Sequence, residues 1–221
     1  MNKEKFNPTE RSKVKTNAVR AVYEKEEILK IIDDTFHCHI GFKVNNQPIV
    51  LPICYGRKGD KIFFHGAKAN RMFSNIKNGS EICLTISIVD GIVLARSAFN
   101  HIINYRSVVI FGKASEIIIP AEKEKALRNI IEHIIPGRWN DIRKPSEKEL
   151  NATSTFYMEL NEVSAKIRND PPIDDDEDLK LEIWSGILPL KVINQEPIKD
   201  PYNSINNNIP TPDYIKNYRK K

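Results

Sequence analysis

The chain alternates apolar and polar residues over several short stretches, a pattern that predicts antiparallel β-strands. Residues 81–89 show it most clearly, because Ile or Leu occupies every second position from Ile82 to Ile88. Alternation of this kind places one face of a strand against a core. The same period indicates strands over 36–44, 49–55, 61–65, 92–95, 105–118 and 155–167, the last with a change of phase that suggests a bulge.

Turn-forming residues separate these strands. Asn45-Asn46, residues 57–60 and Asp90-Gly91 carry the side chains that favour tight hairpin turns. Pro52 has no amide hydrogen to donate to a neighbouring strand, so we expect an interruption or a bulge in the ladder where it lies.

Helical spacing of apolar residues predicts helices over 24–34, 70–77 and 121–135, and Ser146 with Glu149 predicts a capping box at the start of another short helix. Five or six antiparallel strands joined by hairpins, with helices at the ends, predict a mainly β fold, a closed or partly closed small barrel. The glycine-rich loops GxGxxG and GxxxxGK[ST] of parallel nucleotide-binding sheets do not occur in the sequence. A doubly wound fold is therefore not expected.

Shifts in composition suggest three parts of the chain. We expect an exposed N-terminal arm over 1–22, one domain over 23–190 and a C-terminal extension over 191–221. The extension is rich in Asn and Pro, so it should drape over the surface or stay disordered. Residues 181–190, which contain Trp184, are expected to pack as an ordered strap.

The net charge of +5 and the pI near 9.0 raise the question of a nucleic-acid partner. The basic residues are not interleaved with aromatic ones and residues 174–178 are all acidic, so nucleic-acid binding is not favoured. A small ligand that bears a phosphate would use the positive charge equally well. An apolar run long enough to span a membrane and an apolar leader are both missing from the sequence, so we expect a cytoplasmic protein with no membrane partner.

One candidate site follows the strand at 61–65. Gly66 would let the backbone approach a ligand, and Lys68, Asn70 and Arg71 come at the start of the predicted helix. Backbone N–H groups and cationic side chains at such a turn suit a phosphate. The alternative is an exposed loop whose basic side chains are simply solvated.

A second polar cluster interrupts apolar strands over 94–112. It contains Arg96, Ser97, His101, Asn104, Tyr105, Arg106 and Ser107. Buried Arg and Ser side chains need partners, which a ligand could supply, although a polar rim would look the same. His37 and His39 share one strand face, but no third metal ligand is apparent, so we interpret them as partly exposed strand residues.

Six sequence blocks in order resemble the pyridoxamine-phosphate-oxidase-like flavin-binding split barrels. They are HIGF at 39–42, HGAKANRM at 65–72, DGIVLARSAF at 90–99, NYRSVV at 104–109, GRW at 137–139 and SAKIR at 164–168. Within that group the chain is most similar to the nitroimidazole-reductase (Nim) type, and the likeness extends over about residues 18–190.

The resemblance implies an FMN-binding split β-barrel that forms a homodimer with the flavin at the subunit interface. It places Pro52, Ile53, Cys54 and Tyr55 along the isoalloxazine ring, and His65, Gly66, Lys68, Asn70 and Arg71 around the phosphate. It further implies that Arg106 and Ser107, with Ser97 and Tyr105 of the same polar cluster, contribute from across the interface. Trp184 is the first candidate for the aromatic residue that borders the ring, and Trp139 is the second.

The chain departs from true pyridoxamine phosphate oxidases, which typically carry an Arg-Lys pair after a Ser at the turn where this chain has Asn70-Arg71-Met72. His65 corresponds to a pocket histidine of the Nim type, so it is the candidate for a substrate contact or a proton donor. The resemblance therefore predicts FMN-dependent oxidation or reduction of a small molecule, with a nitroaromatic as one candidate. A flavin or haem carrier without turnover is the alternative.

Overall fold

The computed structural model describes residues 4–77, 79–202 and 209–218, which form two antiparallel sheets with helices around them. The strands are β1 Ala21–Val22, β2 His37–Val44, β3 Gln47–Cys54, β4 Gly56–Lys58, β5 Lys61–Ala67, β6 Glu81–Leu94, β7 Ile102–Lys113, β8 Ser115–Ile117, β9 Thr153–Glu159, β10 Glu162–Arg168 and β11 Gly186–Pro189. The helices are α1 Lys25–Asp33, α2 Arg71–Lys77, α3 Pro120–Ile134, α4 Glu147–Ala152 and α5 Asp213–Lys216.

The larger sheet has the strand order β1-β10-β7-β6-β2-β3, and β11 pairs with the far half of β6. The smaller sheet has the order β4-β5-β9-β8. Apolar side chains from both sheets meet in one core, for example Ile86 and Ile110 of the larger sheet and Phe64 and Phe156 of the smaller one. This arrangement confirms the predicted class, a mainly antiparallel split β-barrel.

Helix α1 closes one side of the core because its apolar residues recur at helical spacing. Ile28, Ile31 and Ile32 are all buried there. Helix α3 lies against β4 and β5 so closely that a β-carbon built on Gly56 would be 2.4 Å from the Cα of Ile130. Glycine at 56 therefore allows the helix to approach the strand.

The predicted hairpin at Asp90-Gly91 is wrong. β6 continues through these residues to Leu94, and a bulge between Val89 and Gly91 shifts its register against β7. Both halves of β6 keep β7 as a partner, so turn-forming residues produce an irregularity rather than a reversal. The chain reverses later, within the polar segment that separates β6 from β7.

Two long predicted strands each divide between the sheets. Residues 105–118 become β7 of the larger sheet and β8 of the smaller one. Residues 155–167 become β9 and β10, which lie in different sheets, so the change of phase marks a change of sheet rather than a bulge. The alternation of each half was predicted correctly, but the sequence does not reveal which sheet each half joins.

Pro52 was expected to interrupt its ladder, and this expectation is wrong. β3 pairs with β2 without a break from Gln47 to Cys54. β3 is the edge strand of the larger sheet, so a residue without an N–H is tolerated there.

Most described residues of the N-terminal arm are exposed, as predicted, but the arm is also docked on the rest of the protein. Phe6 is 8% exposed, and its amide donates a hydrogen bond of 2.9 Å to the carbonyl of Tyr23. Arg11 donates to the carboxylates of Glu81 and Glu162, which anchors the arm on the larger sheet.

The described part of the C-terminal extension lies on the surface, as one of the two alternatives predicted; residues 203–208 and 219–221 lie outside the described chain. The hydroxyl of Tyr218 donates to the carbonyl of Ile134 over 2.6 Å, and Asn194 donates to the carbonyl of Tyr218 over 2.8 Å. Among the described residues, no helix is both long enough and apolar enough to span a membrane.

Candidate functional site

The predicted phosphate residues follow one another at the junction of β5 and α2. Asn70 Oδ1 accepts a hydrogen bond of 2.9 Å from the amide of Met72, so this side chain caps the helix. Lys68 and Arg71 are exposed, and neither side chain forms an ion pair with a described residue. The turn thus presents two cations that the described protein does not neutralise.

Gly66 has a packing role that the sequence did not reveal. A β-carbon built on it would lie 2.3 Å from Cε2 of Phe73. The ring of Phe73 stacks on that of Phe156, with 5.4 Å between the ring centroids. The absence of a side chain at 66 is therefore needed by the core itself, whatever the backbone binds.

His65 lies on β5 directly opposite Thr155 of β9. The His65 residue is exposed, yet the protein around it desolvates the imidazole and lowers its pKa. The Thr155 hydroxyl is buried and has no hydrogen-bond partner among the described residues. The lowered pKa favours the neutral imidazole, which can accept a proton at this position.

The predicted ring residues divide into two groups. Pro52, Ile53 and Cys54 end the edge strand β3, where Pro52 and Cys54 are exposed. Tyr55 is fully buried, its hydroxyl donates to the carbonyl of Ile32 over 2.6 Å, and burial raises its pKa. Its amide also donates to the carbonyl of Phe36, so the hydroxyl and the amide of Tyr55 are both bound within the protein, and its place along the ring stays a prediction.

Arg106 is held by carboxylates from two other elements. Its guanidinium donates to both oxygens of Asp90, over 2.9 and 2.8 Å, and to Asp34. The hydrogen bond with Asp90 is the main reason why the pKa of Arg106 is raised. The sequence analysis predicted Arg106 as a flavin-site residue but did not predict these partners.

The remaining candidates are Trp184 and the other predicted residues of the polar cluster at 94–112. Ser107 is half-buried on the outer face of β7, where its hydroxyl lies 3.5 Å from the carbonyl of Lys166. Tyr105 lies opposite Arg168 of β10, and the Ser97 hydroxyl is buried without a partner among the described residues. Trp184 is 69% exposed, so it has room to contact a ligand.

Arg96 fixes the strap that carries Trp184. Its guanidinium donates to Asp174 over 2.8 Å and to the hydroxyl of Ser185 over 2.6 Å. Its amide also donates to Asp174. The polar segment after β6 therefore orients the strap, and this role explains part of the polarity that the sequence shows there.

A cavity of about 780 Å³ opens beside β6. It is lined by Asp34, Thr35, Phe36, His37, Ser87, Ile88, Val89, Asp90, Arg106, Pro189, Leu190, Lys191, Val192, Asn194 and Tyr218. Arg106 is the predicted site residue that lines it, whereas the turn residues from His65 to Arg71 lie elsewhere. In a single chain, the turn residues from His65 to Arg71 and the polar cluster that contains Arg106 are therefore not brought into one cavity.

Sequence reasoning missed most of this cavity, because its walls come from five segments that are distant along the chain. Besides Arg106, the available signal was His37, which the sequence analysis considered with His39 as a metal ligand. The described residues contain no group of three or more His, Cys, Asp or Glu side chains that could hold a metal ion.

The family profile described as pyridoxamine 5'-phosphate oxidase matches residues 24–167. The structure of the flavocytochrome Anf3 from Azotobacter vinelandii matches 97% of this chain and 99% of its own, with a TM-score of 0.90 and 37% identity. The structure of a FAD and haem binding protein from Mycobacterium smegmatis matches 89% of this chain and 96% of its own, with a TM-score of 0.84 and 26% identity.

A putative 5-nitroimidazole antibiotic resistance protein from Bacteroides thetaiotaomicron matches 66% of this chain and 86% of its own, with a TM-score of 0.57 and 20% identity. That likeness shows a shared fold. No curated protein matches the chain. Because the profile extends from α1 to the end of β10 and the larger structural matches include nearly the whole chain, this protein belongs to the pyridoxamine 5'-phosphate oxidase-like family of flavin-binding split barrels.

Proposed function

We propose that this protein is an oxidoreductase that uses a bound flavin to transfer electrons to or from a small molecule. The observation that carries the proposal is the match to a flavocytochrome over 97% of the chain at 37% identity. A bound flavin supplies hydride and electron transfer, and the protein binds and orients it. FMN is the flavin expected from the sequence, whereas the structure from Mycobacterium smegmatis is named for FAD.

The turn between β5 and α2 fits the phosphate that FMN and FAD share. Lys68 and Arg71 are exposed cations without a described counter-ion, and an anion would pair with them at little desolvation cost. The exposed end of β3, at Pro52 and Cys54, would border the ring. Because β3 contacts β5, the two parts of this half-site belong to one region of the fold.

The second half of the flavin site would come from a partner subunit. The edge strand β3 is largely exposed, with Val50 at 64% and Leu51 at 39%. Apolar residues on an open sheet edge are typical of a protein interface. In this homodimer, Ser107 and Trp184 of one subunit would contribute to the flavin site at the turn of the other, as the family resemblance implies.

Binding of haem, in addition to the flavin, is the second part of the proposal. Two structures that match most of the chain are a flavocytochrome and a FAD and haem binding protein. Because the match to the flavocytochrome covers 97% of the chain, it includes all but a few residues of the C-terminal extension at most. Haem binding with flavin would make the protein an electron-transfer chain within one molecule.

Spectra of the purified protein test the flavin proposal, and extraction followed by chromatography separates FMN from FAD. The variants Lys68→Ala and Arg71→Ala should each weaken flavin binding by roughly tenfold, the lower end of what a charge-assisted hydrogen bond contributes. Lys58→Ala, which removes another exposed lysine, is the matched control. Equal flavin affinity in all three variants would contradict a phosphate site at this turn.

Sedimentation of the wild type and of Val50→Asp tests the interface. The wild type should sediment as a dimer, and the variant should become monomeric and lose flavin. A monomeric wild type with bound flavin would contradict the shared site.

Anaerobic reduction of the bound flavin by NADH or NADPH, followed by oxidation with a nitroaromatic, separates an enzyme from a carrier. Absence of turnover with any donor would support the carrier.

A further inference from the structure

The cavity beside β6 coincides with an opening in the larger sheet. β2 pairs with β6 from Cys83 to Thr85, and β11 pairs with the same edge from Gly91 to Leu94. Between them, residues 86–89 have no partner strand on that edge within the described chain. Backbone groups at such an opening are available to a ligand or to water.

The walls of this opening are largely apolar. Phe36 and Ile88 come from the barrel and Leu190 from the strap, whereas Val192 and Tyr218 come from the C-terminal extension. The volume of about 780 Å³ is within the range of roughly 300–1,000 Å³ that is usual for cofactor sites. A flat, apolar ring system with a few charged substituents matches this lining.

His37 is the histidine that lines the cavity. Its Nδ1 shares a hydrogen bond of 3.2 Å with the hydroxyl of Thr35, which leaves Nε2 for a ligand. Thr35 is itself held, because His133 donates to its carbonyl over 2.9 Å. A histidine whose second nitrogen is fixed by a hydrogen bond is the usual arrangement of a metal-bound imidazole.

The rim of the cavity carries both signs of charge. Arg106 is paired with Asp34 and Asp90, whereas Lys191 forms no ion pair with a described residue. Lys191 is therefore available to an anionic substituent such as a haem propionate. The apolar walls, the oriented imidazole and this cation together fit haem.

We propose that this cavity is a haem site and that Nε2 of His37 would bind the haem iron. The inference rests on the proposed haem binding and assigns its place in the chain. The cavity shares Arg106 with the residues predicted for the flavin, but none of the turn residues from His65 to Arg71. The two cofactors would thus occupy separate sites, and each could be lost without the other.

The test compares His37→Ala with His39→Ala in the full chain, with haemin as the titrant. His39 is the matched control, because it lies two residues along β2 on the same face, is also exposed and does not line the cavity. His37→Ala should lose the wild-type Soret spectrum and bind haemin at least tenfold more weakly. His39→Ala should match the wild type, and added imidazole should restore the spectrum of His37→Gly.

Flavin absorption and circular dichroism of the same samples show whether each variant is folded. Val192→Trp provides an independent test, since it narrows the cavity from the opposite wall at a position that is 78% exposed. It should weaken haemin binding and leave the flavin in place.

Three results would overturn the proposal. A wild-type Soret spectrum and affinity in His37→Ala would move the haem elsewhere while haem binding itself stands. Unchanged haemin binding in Val192→Trp would argue against this cavity. A wild-type protein that holds flavin but does not bind haemin would remove the haem function, and the flavin function would remain.

Discussion

Replacement of Gly66 by alanine should destabilise the protein through the core rather than through the cofactor. The new β-carbon would lie 2.3 Å from Cε2 and 2.9 Å from Cζ of Phe73, both far below ordinary contact. Phe73 is 2% exposed and stacks on Phe156, so its ring can move only by disturbing the aromatic cluster. Overpacking of this kind costs about 1–3 kcal/mol.

Alanine substitutions at two other glycines provide comparisons for the predicted loss of stability. At Gly56 the added carbon would meet the backbone of Ile130 at 2.4 Å, so helix α3 would have to shift and the loss should be larger. At Gly41 the nearest atom is the carbonyl oxygen of Cys83 at 3.6 Å, an ordinary contact, so the stability should hardly change. The expected order of destabilisation is Gly56→Ala, then Gly66→Ala, then Gly41→Ala.

Thermal unfolding followed by circular dichroism measures this series. For a chain of this size about 1 kcal/mol corresponds to roughly 2–4 °C in Tm, so Gly66→Ala should lower the Tm by roughly 2–12 °C. Combining Gly66→Ala with Phe73→Leu should cost less than the sum of the two single changes, because the smaller side chain makes room. If Gly66→Ala were as stable as Gly41→Ala, the packing explanation would be refuted.

Two further predictions concern single side chains. Tyr55→Phe should cost about 1 kcal/mol, because it removes the hydrogen bond to the carbonyl of Ile32, and should leave flavin affinity unchanged, since the hydroxyl is bound within the protein; weaker flavin binding would contradict this assignment of the hydroxyl. The hydrogen bond from Arg11 lowers the pKa of Glu162 below its ordinary value, so its contribution to stability is present above that value and is lost as the pH falls through the lowered one. The Tm difference between the wild type and Glu162→Gln should therefore shrink on acidification, and a constant difference would contradict this pairing.

The strands and the fold class could be predicted from the sequence because alternation is a local signal. Connections were harder, since they depend on partners that are distant along the chain. Asp90-Gly91 has the chemistry of a hairpin, but β7 pairs with β6 on both sides of it, and the pairing converts the turn into a bulge. Residues 155–167 keep their alternation across a change of sheet, which the pattern shows only as a change of phase.

The candidate site divides in the same way. Lys68 and Arg71 lie within a few residues of each other at the turn between β5 and α2, so their position at this turn could be predicted from the sequence. Tyr55 was predicted to lie along the ring, but the sequence did not reveal that its buried hydroxyl donates to the carbonyl of Ile32, a residue 23 positions earlier. Glycine is required at 66 because the ring of Phe73 packs against its backbone, and this contact could not be predicted from the spacing of residues in the sequence.

His37 shows a different limit. The sequence analysis set it aside because a metal site made of protein side chains needs three or four ligands. That requirement does not apply to haem, whose porphyrin supplies the in-plane ligands and leaves one or two positions to the protein. The cavity that His37 lines is formed by segments that are up to about 180 residues apart, from Asp34 to Tyr218, so the sequence pattern did not reveal it.

The visible spectrum of the purified protein, before and after incubation with FMN, FAD and haemin, tests the central claim most directly. We expect the absorption bands of an oxidised flavin, weakened in Arg71→Ala, and a separate Soret band that depends on His37. A protein that stays colourless after incubation with all three cofactors would contradict the account.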